Sequence, residues 1–160
     1  FPSVFLEVLW SIDSSYRTTM VASPEQIAQG HNQQGLEIQR AKIADGAEIR
    51  RIFICENDDM AEKLRSAMEV QQEVGIQVRY ILTDRIERNQ FLNEGVEKIG
   101  QLDFSIIDDT FTLTTDVNTT PENYRIEGCS LSYDEQKVRE YSEVFSNMWN
   151  EANDVSELKE

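Results

Sequence analysis

The chain has 160 residues, and its 30 acidic and 15 basic residues give a formal net charge of −15. A chain of this length is typical of one domain with a sizeable hydrophobic core, and its ordinary apolar content argues against disorder throughout. The negative charge opposes binding to nucleic acid and to anionic membrane surfaces, so we expect no nucleic-acid partner and no membrane partner. The same charge admits basic partners and cations.

The sequence contains no apolar run of about eighteen residues, the length that spans a bilayer, and no signal-peptide pattern. It begins with Phe1 rather than Met, and we interpret it as a fragment of a longer cytoplasmic protein. Cys55 and Cys129 lie in strand-like runs, and we expect two reduced core thiols rather than a disulfide. With no histidine near them they do not predict a zinc site, so no metal and no cofactor are expected.

The first predicted elements are a helix, a strand and a second helix. Apolar residues at helical spacing predict a helix over 4–12, and the β-branched run 17–22 predicts a strand. Ser23 and Pro24 are typical of a helix start, and the second helix is predicted to extend to Ala44.

A unit of helix end, glycine and apolar strand then occurs twice, at 45–54 and at 74–82, with an amphipathic helix between the two copies. This βαβ-like order predicts parallel strands covered by helices. Arg50 and Arg79 each follow the glycine of their unit by four residues, which predicts equivalent places on the sheet. Together with Arg51 they either pair with the abundant carboxylates or line a ligand pocket.

The second half is predicted to contain more strands. Residues 84–99 are polar and predict a short helix followed by a loop. Runs 104–107 and 111–115 predict a hairpin with a turn between them, and 124–131 predicts a further strand after a loop at 118–123.

A closing helix follows Ser132, and its apolar stripe predicts that Phe145 and Trp149 are buried in the core. We expect a single domain over 1–152 and a frayed tail over 153–160. The predicted fold class is α/β, with a mixed sheet and helices on both faces.

The most informative stretch lies in the predicted hairpin, from Gln101 to Asp108, with Asn118 ten residues later. Its spacing resembles the active-site motif of the phospholipase D superfamily, which reads H-x-K-x-x-x-x-D and then G-S-x-N. Asp108 and Asn118 fall at the Asp and Asn of that motif. Gln101 stands at its His and Asp103 at its Lys.

The resemblance implies one half of a phospholipase D-like protein over roughly residues 4–152, without the catalytic groups. Thr115 and Asp116 stand where the family has Gly and Ser. A glutamine amide neither titrates near neutral pH nor attacks phosphorus, as the family's histidine does. An aspartate at the lysine position reverses the charge that would hold a phosphate. Two unit charges about 4 Å apart interact by about 4 kcal/mol at an effective dielectric constant of 20. A phosphate beside the aspartate would be repelled on that scale, so we expect no phosphodiesterase activity.

The single histidine does not restore the motif. His31 is followed by Gln33 and Ile38 at the positions where the pattern needs Lys and Asp. It lies in a polar run of a predicted helix, and we expect a solvated or partly buried side chain rather than a catalytic one.

Three functions remain open. The first is a non-catalytic regulatory, sensor or ligand-binding module of a larger intracellular protein, for example in signalling. The second is a homodimerisation or protein-interaction module, because the resemblance implies that family members build one site from two halves. The third is a metal-dependent enzyme that uses the carboxylates.

The residues predicted to form the remnant binding site are Gln101, Asp103, Asp108, Asp116 and Asn118. If they converge, they form an acceptor-rich cleft that prefers a cation, an amine or a small polar ligand over an anion. The alternative is that Asp108 only accepts hydrogen bonds from the backbone and that the cleft is merely hydrated.

Overall fold

The structure is a computed structural model, and it describes the backbone of residues 2–22, 33–120 and 123–158. Side chains are described within 5–22, 33–115 and 129–158. The α-helices within these ranges are α1 (Pro2–Trp10), α2 (Gln33–Ala44), α3 (Asp58–Val74), α4 (Thr83–Arg88), α5 (Gln90–Ile99) and α6 (Glu135–Glu151). The strands are β1 (Ser15–Val21), β2 (Glu48–Cys55), β3 (Gln77–Leu82), β4 (Phe104–Ile107), β5 (Phe111–Thr120), β6 (Asn123–Ser132) and β7 (Asn153–Asp154).

These strands form one mixed sheet in the order β6-β5-β4-β1-β2-β3-β7. β1, β2 and β3 are parallel neighbours, as expected for strands joined through helices. β4 pairs antiparallel with β1, and the hairpins continue the sheet through β5 to β6. β7 pairs antiparallel with β3 at the other edge.

Two hydrophobic cores lie on opposite faces of the sheet, because successive residues of a strand point to opposite faces. The first core lies under α1, α2 and α3 and contains Ile49 and Phe53 of β2. The second lies under α4, α5 and α6 and contains Ile52 and Ile54 of the same strand. Each fully buried Ile or Phe contributes about 1.5 to 3 kcal/mol relative to an exposed one. The predicted α/β class, with a mixed sheet and helices on both faces, is confirmed.

The ends of α3 show why the second βαβ unit forms where the sequence predicts it. Asn57 caps the helix by accepting a hydrogen bond from the Met60 N–H, and Asp58 and Asp59 favour its positive N-terminus. Gly75 ends the helix with φ 108°, in the left-handed region. A Cβ there would also lie 3.2 Å from Ile43 of α2, so a glycine allows the two helices to approach.

Several boundaries differ from the sequence prediction. Residues 84–99 hold no long loop, because Asn89 caps α5 directly after α4 ends. The predicted loop at 118–123 is wrong for most of its length, since β5 continues to Thr120 and β6 begins at Asn123. Cross-strand pairing of β5 with β6 overrides the turn-like composition of that stretch. The start of the predicted helix after Ser23, including His31, lies outside the described residues.

The tail from residue 153 was predicted to fray, and for 153–158 that prediction is wrong. Asn153 pairs with Tyr80 of β3, and a 3-10 helix follows at Val155–Glu157. Val155 and Leu158 are buried in the first core. Six residues with two apolar side chains carry too little periodicity to reveal this docking from sequence.

Phe145 and Trp149 of α6 are buried as predicted. Cys55 and Cys129 are free thiols, and burial raises the pKa of the Cys55 thiol to about 12. Among the helices that the structure describes, none is both long enough and apolar enough to cross a membrane.

Candidate functional site around β4

Asp108, at the Asp position of the motif, binds backbone at the far end of β4. Its Oδ1 accepts hydrogen bonds from the N–H groups of Ser14 at 2.8 Å and Ser15 at 2.9 Å, and its Oδ2 accepts one from Asp13 at 3.0 Å. Burial alone would raise the pKa of this carboxyl, but the backbone donors hold the pKa of Asp108 below its ordinary value. Asp108 therefore fastens the turn before β1 to the β4–β5 turn.

The β4–β5 turn itself is made by two aspartates in the left-handed region. Asp108 has φ 53° and Asp109 has φ 54°. Aspartate tolerates this conformation better than most residues, which is the physical reason for its place in such turns. Asp109 also forms an ion pair with Arg17 of β1.

Asp103, at the Lys position, lies at the opposite end of β4 and is partly buried. Its Oδ1 accepts a hydrogen bond from the Thr115 hydroxyl at 3.2 Å, and its Oδ2 accepts one from the Val21 N–H at 3.4 Å. Burial raises the pKa of the Asp103 carboxyl, and these two donors together with the positive charge of Arg51 oppose that rise.

The five motif residues were predicted to converge, but the structure separates two of them, Asp103 and Asp108. A strand rises about 3.3 Å per residue, so these two residues lie at opposite ends of β4, with their backbones about 16 Å apart along it. Gln101 is partly buried on the Asp103 side of β4. Asp116 and Asn118 lie on β5, and their side chains are outside the described residues.

The sequence analysis grouped Arg51 with Arg50 and Arg79 and did not predict that Arg51 is buried. Arg51 of β2 is 6% exposed, and its guanidinium donates to the Gln71 side-chain oxygen at 2.7 Å and to the Gln39 side-chain oxygen at 2.8 Å. Both glutamines are buried, Gln39 on α2 and Gln71 on α3. Burial lowers the pKa of Arg51, while Tyr16 and the Asp103 carboxylate favour its charged form.

A row of polar side chains continues from Arg51 across the sheet. Thr18 of β1 pairs in register with Arg51 on one side and with Ser105 of β4 on the other. The Ser105 hydroxyl lies 2.9 Å from the Thr18 hydroxyl and 3.3 Å from the Tyr16 hydroxyl. The Arg51 guanidinium carbon lies 6.0 Å from the centre of the Tyr16 ring. We call the set Arg51, Gln39, Gln71, Tyr16, Thr18 and Ser105 the Arg51 network.

The surface beside Asp103 is partly open. Thr115 pairs in register with Cys129 of β6, and both side chains are partly exposed. Met20 and Ala22, at the end of β1, are partly buried hydrophobic residues packed against the first core. Asp103 is therefore a partly buried carboxylate hydrogen-bonded to the partly exposed Thr115, and the positive charge of Arg51 acts on it.

The arginines Arg50 and Arg79 have ordinary structural partners. Arg50 lies 2.7 Å from Glu48, and Arg79 donates to the Trp149 carbonyl at 2.8 Å. Both guanidinium carbons lie near the Trp149 ring, at 5.3 Å and 4.4 Å from its centre. They share a face of the sheet but lie two residues apart in register, so they do not occupy the equivalent places that the sequence predicts.

Carboxylates do not gather into a metal site in the part of the chain with described side chains. No group of three or more His, Cys, Asp or Glu residues there could hold a metal ion. Asp103 contributes one carboxylate, which by itself is a poor set of ligands for a divalent cation.

Comparison with known proteins finds similarity in three-dimensional structure and no match in sequence. No protein-family model matches the sequence, and no curated protein matches it. TrmBL2, described as an archaeal chromatin protein with a novel mode of DNA binding, is 12% identical with a TM-score of 0.56; the match covers 94% of this chain and 49% of TrmBL2. Polyphosphate kinase from Porphyromonas gingivalis is 13% identical with a TM-score of 0.57, and the match covers 92% of this chain and 23% of that enzyme.

NucT from Helicobacter pylori, a phospholipase D-superfamily nuclease, is 10% identical with a TM-score of 0.54; the match covers 96% of this chain and 89% of NucT. At such identities the likeness shows the fold alone. The fold is that of a phospholipase D-like half, as the sequence resemblance implied. The chain spans about half the length of TrmBL2 and a smaller part of the polyphosphate kinase.

The expectation that a charge of −15 excludes a nucleic-acid partner is contradicted by these comparisons. TrmBL2, which shares this fold over nearly the whole chain, is a DNA-binding chromatin protein. Net charge governs long-range attraction, but it does not identify which surfaces a protein of this fold uses.

Proposed function

We propose that this chain is a phospholipase D-like domain without phosphodiester chemistry, and that it acts as a ligand-binding regulatory module within a longer protein. The observation that carries the proposal is the placement of Asp103. At the position of the motif lysine stands a partly buried carboxylate that accepts hydrogen bonds from Val21 and Thr115, and the positive charge of the buried Arg51 opposes the rise in its pKa.

Chemistry supports the non-catalytic part of the proposal. Phosphodiester cleavage by the family's route needs a nucleophile that titrates near neutral pH, and Gln101 has an amide instead. A phosphate placed beside Asp103 meets a negative charge where the route needs a positive one. Asp108 is engaged with three backbone N–H groups and does not face Asp103.

The ligand class follows from the donors and acceptors at the site. Asp103 offers carboxylate oxygens, which accept hydrogen bonds and carry a negative charge, so it favours an amine, another organic cation or a polar neutral donor. A hard divalent cation is a weaker candidate, because one carboxylate and one amide provide too few oxygen ligands. The metal-dependent enzyme considered from the sequence loses support for the same reason.

The test combines an activity assay with a binding assay on the purified domain. We expect no turnover of bis(p-nitrophenyl) phosphate above buffer. We expect polyamines or other organic amines to raise the melting temperature of the domain more than that of Asp103→Asn. Asp109→Asn is the matched control, because it removes an aspartate charge at the other end of β4. Turnover that disappears in Asp103→Asn would overturn the non-catalytic proposal. Equal shifts of the melting temperature in the unaltered domain and both variants would refute the proposed ligand site.

Nucleic-acid association is a second candidate, favoured by the likeness to TrmBL2. The measurement is the fluorescence anisotropy of a labelled DNA duplex at about 50 mM and about 200 mM salt, since phosphate contacts weaken steeply over that range. Affinity that falls with salt would support the candidate. Unchanged anisotropy with both the domain and the longer protein would oppose it.

Homodimerisation stays a proposal derived from the family resemblance. Large apolar side chains that are well exposed include Leu131 at the end of the edge strand β6 and the neighbouring Tyr133. Such side chains favour association when they lie together on a surface. Light scattering at high micromolar concentration tests this, and a monomer would contradict it.

A further inference from the structure

The two edges of the sheet end differently. At one edge β7 pairs with β3, and Val155 and Leu158 beyond β7 are buried in the first core. At the opposite edge β6 is the outermost strand, and among the residues with a described backbone it pairs with β5 alone. An outermost strand presents a row of N–H and C=O groups that can pair with another chain.

A β-bulge divides β6 into two parts. The pairing with β5 shifts by one residue between Gly128 and Ile126, which leaves Glu127 as an extra residue on β6. A bulge interrupts the ladder and increases the local twist, so it blunts an edge against further pairing. Residues 128–132 lie beyond the bulge and pair without interruption with 112–116 of β5. We call residues 128–132 the β6 edge segment, and it is the regular part of this edge.

The face of the β6 edge segment that belongs to the first core is apolar and partly uncovered. Leu131 pairs in register with Leu113, and Leu113 is buried in that core whereas Leu131 is 47% exposed. Cys129 lies two residues before Leu131 on the same face and is partly buried against the core. Tyr133 follows the segment, is 65% exposed, and has its ring centre 5.1 Å from that of Phe111. One more strand beside β6 would cover Leu131 and Cys129 and extend the first core.

The charge of the β6 edge segment indicates which chain fits it. Two copies of a chain with a net charge of −15 repel each other at long range, but residues 128–133 contain no Asp, Glu, Lys or Arg. Edge strands are ordinarily protected from their own copies by charged residues, above all lysine. An uncharged segment selects neither a basic nor an acidic partner. It fits a second copy of this chain, which brings an equally uncharged and partly apolar edge.

We propose that the β6 edge segment pairs antiparallel with the same segment of a second copy, so that one sheet continues through both subunits. The inference deepens the homodimerisation proposed above and rests on it, since it names the surface and the register of that dimer. A two-fold contact brings the same segment to both sides. Centring the two-fold on Ser130, the midpoint, pairs the whole segment. Cys129 then lies opposite Leu131 of the partner subunit on the first-core face, where apolar cross-strand neighbours stabilise the pair.

A disulfide at the two-fold tests the register. Ser130 is exposed, and residues directly opposite each other in an antiparallel pair have Cα atoms about 4.5 to 5.5 Å apart, which a disulfide can bridge. In a Cys129→Ser background, we expect Ser130→Cys to form a covalent dimer on mild oxidation, measured by non-reducing electrophoresis. Ser132→Cys in the same background is the matched control, because it faces position 128 of the partner subunit and should cross-link far less. Cys55 is buried and its pKa is about 12, so its thiol stays inert in both variants.

A charge placed on the β6 edge segment tests the surface without a disulfide. Leu131→Lys brings two lysines near each other across the two-fold, so we expect the dissociation constant of the dimer to rise about tenfold or more. Sedimentation velocity at high micromolar concentration measures this, and circular dichroism checks that the variant is folded. Phe91→Lys is the matched control, because Phe91 is a 67% exposed apolar residue on α5, and it should leave the dimer unchanged.

Failure of the edge contact can be told apart from failure of homodimerisation. A dimer that persists in Leu131→Lys, and in which Ser132→Cys cross-links as readily as Ser130→Cys, would overturn the edge contact and leave homodimerisation through another surface. A monomer in the unaltered chain at the same concentration would overturn both. The ligand proposed at Asp103 is independent of either result.

Discussion

β4 begins and ends beside an aspartate, and the two carboxyl groups have opposite surroundings. Asp103 is partly buried between Val21 and Thr115, and burial raises its pKa. Asp108 accepts several backbone N–H groups, which hold its pKa below the ordinary value. Although both occupy motif positions, the donors around each carboxylate determine what it does. Asp108 stabilises the fold, and Asp103 remains the candidate for binding.

The largest effect on stability should come from replacing Arg51, the buried cation whose charge acts on Asp103. Arg51→Met leaves the Gln39 and Gln71 oxygens and the Asp103 charge without their partner. We expect the free energy of unfolding to fall by about 3 to 5 kcal/mol, the cost of breaking a buried charged network. Urea denaturation at pH 7 measures this. Arg85→Met, which removes an exposed arginine paired with Glu151, is the control and should cost about 1 kcal/mol or less. Equal losses in both variants would show that Arg51 is not held as described.

At the other end of β4, removing the carboxylate of Asp108 tests its role as a hydrogen-bond acceptor. Asp108→Ala deprives the N–H groups of Asp13, Ser14 and Ser15 of their acceptor, and we expect a loss of about 2 to 3 kcal/mol. Asp109→Ala is a matched control, because it places alanine at nearly the same left-handed φ without removing those bonds. It should cost about 1 kcal/mol. Thermal and urea unfolding should rank the two variants in this order, and the reverse order would refute the role given to Asp108.

Asp108→Asn sharpens the comparison by keeping an acceptor oxygen and removing the charge. The pKa of Asp108 is lowered in the folded state, so its ionised form stabilises the protein above the unfolded pKa of about 3.9. That contribution is lost as the pH falls through the folded pKa. We therefore expect the parent to exceed the variant by about 1 kcal/mol at pH 7 and the gap to close in acid. A stability difference that widens in acid would contradict the hydrogen bonds assigned to Asp108.

Asp103→Asn should show the smallest effect and the opposite sign of pH dependence. The pKa of Asp103 is raised in the folded state, so its ionised form costs stability above that pKa, and protonation relieves the cost as the pH falls toward about 3.9. Relative to the variant, the parent should gain stability on acidification, by less than about 1 kcal/mol. Paired urea titrations at pH 7 and at acidic pH would detect it, and a parent that loses stability relative to the variant would reverse our assignment.

The sequence predicted the elements of the fold well because their patterns are local. Gly75 marks the end of α3, and the apolar runs that follow Gly46 and Gly75 mark β2 and β3. The antiparallel pairing of β4 with β1 and the docking of Val155 and Leu158 depend on contacts between distant segments, which no local pattern records.

The site was predicted less completely. Motif spacing located Asp103 and Asp108 but could not show that β4 holds them apart. Arg51 was grouped with Arg50, although the two-residue period of a strand places them on opposite faces. That alternation was the available signal, since Arg51 falls between Ile49 and Phe53 on a face of β2 whose other members are apolar. Gln71 carried a similar signal, since it falls at helical spacing on the buried face of α3, three residues after Met68. Gln39 carried none, because α2 is polar overall.

The short strand β7 has a consequence for how this domain is separated from its neighbours. Asn153 and Asp154 hydrogen-bond along β3, which would otherwise be the last strand of the sheet on that side. A domain cut after Ala152 would leave the outward-facing N–H and C=O groups of β3 near Arg79 and Tyr80 unpaired, and it would uncover the first core where Val155 and Leu158 pack. Open strand edges of this kind recruit other chains, so a shortened domain would aggregate or form intermolecular sheets where the longer one does not.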